Sequence, residues 1–97
     1  MTKEQELESY QRALVDWEAS RISKYLSSTE TTAGLCFYFS RKYINLKELP
    51  VINNLIICNL KPNSNYIANR GVEEPRIALL KQAIEIITKQ IEDENAN

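Results

Sequence analysis

The chain has no histidine. That absence removes the commonest general base and the usual partner of a serine or cysteine nucleophile. The two cysteines, Cys36 and Cys58, are too far apart for a CxxC pair. Without imidazole or clustered carboxylates they cannot complete a four-ligand zinc site. Both lie in apolar runs and read as free, buried thiols. The two glycines, Gly34 and Gly71, cannot build a GxGxxG turn or a P-loop. With only three prolines besides, the chain is poor in turn formers, which favours helices. No apolar run is long enough to span a bilayer, and the opening Met1-Thr2-Lys3-Glu4 does not resemble a signal peptide. These absences lead to the expectation of a non-enzymatic protein without metal, cofactor or membrane, in a reduced cytoplasm.

What remains is globular. Ninety-seven residues, 43% hydrophobic and 26% charged, suit a single domain over 1–97, with 1–2 and 92–97 expected to fray. A chain this size buries ~60–65% of its unfolded surface, enough for one modest core. The net charge of −1 disfavours nucleic acid as a partner. The total conceals a segregation, because residues 1–32, 33–71 and 72–97 carry −2, +4 and −3. A fold that gathers the middle segment's cations acquires a positive face.

Apolar periodicity predicts an all-α bundle of about four helices, with a long polar loop before the last. Thr2 and Gln5 form a capping box for a helix over 3–27, with Leu7, Tyr10, Leu14 and Trp17 on one face. The hydroxyl-rich stretch 27–32 reads as a break, with Thr31 or Thr32 capping a second helix from Ala33 to Tyr43. Asn45 and Glu48 open a third segment, in which Pro50 implies a kink or restart. Residues 35–39 and 55–58 fit either helix or strand. Pro75 suits the first turn of a last helix carrying Ile77, Leu80, Ile84, Ile87 and Ile91. That helix is apolar on two flanks, so it is buried between others or shared with a second subunit.

Two regions invite a binding role. In the first helix, Gln11, Glu18 and Arg21 fall in the stripe drawn through Leu7, Leu14 and Tyr25. Glu18 and Arg21, one turn apart, are placed to pair, either as a solvated pair in a half-exposed groove or as a polar pocket floor. In and beside the loop from Lys61 to Arg76, Tyr66, Asn69, Arg70 and Arg76 supply donors, an aromatic face and planar cations, and Lys42, Arg41 and Lys47 add positive field. Guanidinium groups fork phosphate and tyrosine stacks on bases, so the set suits a nucleotide-like ligand. Surface loops are polar in any case. Trp17, Phe37, Tyr38 and Phe39 read mainly as core, although three consecutive aromatics around a helix put at least one near the surface.

The segments Thr32-Ala33-Gly34-Leu35-Cys36, Leu49-Pro50, Lys61-Pro62 and Glu74-Pro75-Arg76-Ile77-Ala78-Leu79-Leu80 together resemble a loose group of small, uncharacterised bacteriophage and prophage proteins. The likeness covers residues 32 to 84 and implies no reaction or cofactor. It implies an accessory or counter-defence factor that inhibits a host protein or sequesters a nucleotide-like signal in a bacterial cytoplasm. The alternative expectation is a structural subunit that forms homo-oligomers through its C-terminal helix.

Overall fold

A computed structural model describes residues 1–19, 28–60 and 75–96. Its helices are α1 (Lys3–Glu18), α2 (Ser28–Arg41), α3 (Pro50–Leu60) and α4 (Pro75–Asn95), with a 3₁₀ turn at Leu46–Glu48. There is no strand among the described residues, and both ambiguous runs, 35–39 and 55–58, are helical. The fold is all-α. The expected polar loop, with Lys61, Tyr66, Asn69 and Arg70, lies outside the described residues. Among the described residues no helix is long and apolar enough to cross a membrane.

The start of α1 follows from its sequence. The Thr2 hydroxyl accepts from the Gln5 N–H at 3.1 Å, and the Gln5 side chain accepts from the Thr2 N–H at 2.9 Å. Both ends of the capping box are made. The helix ends at Glu18 with Ala19 as C-cap, short of the expected residue 27. Arg21 and Tyr25 lie outside the described residues. Helical period fixes a face and not an end.

α4 is the central helix, packing most heavily on α1 and then on α3 and α2. Lys3 pairs with Glu94 at one end of the α1–α4 contact, and Glu18 approaches Lys81 at 3.9 Å at the other. The two helices are therefore antiparallel. Leu79, Leu80, Ala83 and Ile87 of α4 join Tyr10, Ala13 and Trp17 of α1 in the core, with Leu35, Phe39, Leu49, Ile52 and Ile56 closing it from α2 and α3. α4 stays helical to Asn95, through most of the segment expected to fray.

Two local readings need correction. Thr31 and Thr32 do not cap α2; they are buried within its first turns, and the helix starts at Ser28. Threonine hydroxyls can bond back to the preceding turn, so a hydroxyl run need not break a helix. The face of α1 is also rotated from the stripe drawn through Leu7, Leu14 and Tyr25. The core takes Glu6, Tyr10, Ala13 and Trp17, which leaves Gln11 and Glu18 exposed at its margin.

A buried carboxylate is the unexpected member of that face. Glu6 is 3% exposed, and it accepts a hydrogen bond from the Tyr10 hydroxyl and another from the Val51 N–H at 3.1 Å. The Tyr10 oxygen in turn accepts from the Ile52 N–H at 3.1 Å. These amides belong to the first turn of α3, whose donors have no partner within their own helix. Pro50 has no donor to lose, and Asn53 bonds back to the Leu49 carbonyl at 3.0 Å. α1 thus supplies the N-terminal cap of α3, and the positive end of the α3 dipole favours the Glu6 charge. Burial, followed by the bond to Glu6, pushes the Tyr10 phenol well above its ordinary range.

Candidate functional site

The C-terminal end of α2 shapes the surface next to this core. The Ile44 N–H reaches the Phe39 carbonyl at 3.1 Å and the Tyr43 N–H reaches that of Ser40 at 3.0 Å. This is a Schellman closure with Tyr43 in the left-handed position, φ 60. The closure sets Arg41 and Lys42 at the negative end of the α2 dipole, where cations are favoured. Arg76 is placed oppositely, at the second position of α4, where the dipole does not favour a cation.

These three cations line one open cleft of about 480 Å³ between the end of α1, the outer face of α2 and the start of α4. Each sits over an aromatic ring. The Arg76 guanidinium is 4.5 Å from the Trp17 centroid, Arg41 is 5.6 Å from Phe37, and the Lys42 ammonium is 5.8 Å from Tyr38. Such contacts hold a cation against a ring face at a gain of about 0.5–1 kcal/mol at an exposed site. Among the described residues no carboxylate lines it. An open cleft with cations over ring faces can take an anion together with a flat apolar group.

Gly34 makes the arrangement possible. A Cβ there would lie 2.9 Å from Arg76 Cδ, 3.1 Å from its Nη1 and 3.7 Å from the Trp17 ring. A glycine inside a helix costs about 1 kcal/mol relative to alanine. Here the cost accompanies close passage of the arginine between α2 and the indole.

Tyr38 forms the wall between this cleft and a larger one of about 630 Å³. Its ring packs edge-on against Trp17 at 5.6 Å and Phe39 at 5.2 Å. Its hydroxyl donates to Asp16. Burial first, and the Asp16 bond second, push the Tyr38 phenol up to about 12.

Of the residues read from sequence as a ligand set, Lys42 and Arg76 come together in one cleft, with Arg41 beside them. Lys47, on the 3₁₀ turn, does not line it. Tyr66, Asn69 and Arg70 lie outside the described residues. Glu18 is exposed and faces Lys81 across to α4, while Arg21, its expected partner, lies outside the described residues. Cys36 is a half-buried free thiol whose pKa burial raises, but Cys58 is exposed rather than buried, because α3 turns only one face to the core. Among the described residues no cluster of three or more potential ligands for a metal exists.

Of the aromatics expected mainly in the core with at least one near the surface, Trp17 and Phe39 are core, Tyr38 packs against it and Phe37 is the exposed one at 63%; Trp17, Phe37 and Tyr38 also line the cleft. The overlooked signal was Gly34, a glycine in mid-helix. Comparison with family models, curated proteins and solved structures finds no match to this chain.

Proposed function

We propose that this protein is a non-enzymatic binding protein whose cleft holds a small, anionic, planar ligand of the nucleotide class. The observation that carries this reading is the seating of Arg41, Lys42 and Arg76 over Phe37, Tyr38 and Trp17 in one cleft, with no carboxylate among the described residues that line it. Phosphate answers the cations, and the exposed Phe37 ring offers a base a stacking surface. The arrangement offers binding groups and, in a chain without histidine, no ordinary general base. Sequestering a host signal nucleotide in a bacterial cytoplasm is the form that a phage counter-defence role would take on this site.

Thermal denaturation with millimolar mono- and cyclic nucleotides tests the reading. A ligand at a hundred times its Kd adds about 2.7 kcal/mol, and Arg76→Ala or Lys42→Ala should abolish the gain while leaving the unliganded Tm within a few degrees. No shift with any nucleotide would end the proposal.

A second reading, inhibition of a host protein, draws on Tyr43, an aromatic side chain 97% exposed on a left-handed backbone. Aromatic anchors of this kind concentrate binding energy at interfaces. Assembly through α4 is less favoured, because Leu79, Leu80, Ala83 and Ile87 are already covered by the protein's own helices.

A further inference from the structure

We infer that the ligand is a guanine nucleotide, with its phosphate among Arg41, Lys42 and Arg76 and its base read by Asp16 in the adjoining cleft. This rests on the reading of the cationic cleft as an anion site.

Tyr38 and Lys42 line both clefts. A ligand anchored by phosphate at Lys42 is therefore one aromatic ring away from the larger cavity. Each cleft is within the range of small-ligand sites, and the two are contiguous at Tyr38 and Lys42. Their chemistry differs in sign. The second cleft has apolar walls from Tyr38, Phe39, Val15 and Ile44, with Asp16 and Glu8 at its α1 side. The cation Arg12 is engaged by Glu8 in an i,i+4 pair, and Asp16 makes no such pair among the salt bridges seen.

Asp16 is also held in place. It accepts the Tyr38 hydroxyl, and that ring is wedged edge-on between Trp17 and Phe39. One carboxylate oxygen is occupied by this bond, and the group keeps further lone pairs for a ligand. A carboxylate accepts and cannot donate, so it prefers a base edge with two adjacent donors. Guanine presents that edge through its ring N1–H and exocyclic amine. Adenine and cytosine set one donor beside an acceptor, and uracil sets one donor between two acceptors. Only guanine gives the carboxylate a bidentate partner, while the aromatic walls accept its face.

Isothermal titration with GMP, AMP and ribose 5-phosphate, on the wild type and on Asp16→Asn, tests the inference. GMP should bind about tenfold tighter than AMP, the scale of one bidentate contact. Asp16→Asn should bring the two to near parity, because its amide replaces an acceptor with a donor while its oxygen still takes the Tyr38 proton. Equal wild-type affinities, or a variant that weakens both nucleotides and preserves their ratio, would overturn the guanine assignment. In either case, ribose 5-phosphate binding that depends on Arg76 would leave the anion-site reading standing. No binding of any of the three probes would overturn both.

Discussion

The Glu6–Tyr10 clamp and the Arg76–Trp17 cleft use similar materials, a charge and an aromatic ring, and put them to opposite ends. In the clamp the charge is buried, and the bonds around it go to the protein: a phenol and the first amides of α3. In the cleft the cations lie on ring faces at an open surface. Burial with hydrogen bonds from its own fold turns a charged group into a structural fastener. Partial exposure over a π face keeps it available to a partner.

Glu6→Ala should break this contrast most visibly. It leaves the Tyr10 hydroxyl and the Val51 amide without an acceptor in a dry interior, at a cost of about 3 kcal/mol or more. Urea unfolding should register that loss, and Glu6→Gln, which keeps an acceptor, should recover part of it. A change below about 0.5 kcal/mol, typical of a surface residue, would show that the clamp fastens nothing.

Tyr38 stands between the two regions, and its titration sharpens the comparison. Its phenol keeps its proton to about 12 in the folded protein, against 10.0 for an ordinary tyrosine. The stabilisation is complete below pH 10 and is lost as pH rises through 12. The Tyr10 shift runs in the same direction. Stability followed by denaturant unfolding should therefore fall on the alkaline side. Tyr38→Phe should cost about 0.5–1.5 kcal/mol at neutral pH and flatten the decline in the window from 10 to 12. A decline unchanged by the substitution would assign it to other groups.

Tyr43→Gly tests whether the cleft edge carries strain. The residue occupies the left-handed position that glycine takes without penalty. The substitution should raise stability by about 1 kcal/mol, seen as a Tm gain of several degrees. A loss would mean that the tyrosine ring has a packing role its 97% exposure denies.

Gly34→Ala should have the smallest effect on stability. The helix-propensity gain of about 1 kcal/mol is offset by pushing Arg76 off its seat, so the net change should stay within about 0.5 kcal/mol. Trp17 fluorescence should change even so, and nucleotide affinity should fall. An unaltered emission spectrum would show that Arg76 does not depend on the space glycine leaves.

Much of the fold was legible in the sequence for local reasons. Thr2 with Gln5, Asn45 before the 3₁₀ turn and Pro50 and Pro75 at helix starts act within a few residues, and all stand where the chain pattern put them. The candidate site was legible only in part. Lys42 and Arg76 could be named as cations near a helix end and a helix start. Their meeting could not be read, because it depends on how α2 crosses α4 beside the end of α1. Glu6 looked like an ordinary first-turn acid of α1, since the Val51 amide it accepts from is on a helix 45 positions away.

The sequence by itself determined that this chain is helical, where α1 and α4 begin, and that imidazole chemistry is closed to it, because periodicity, capping and composition are local properties. Tertiary structure decided which face of α1 is buried, why an acid can lie inside it, and that three cations share one cleft with three rings. Those outcomes depend on contacts between distant segments, where burial and desolvation set what each charge costs and what it can still bind.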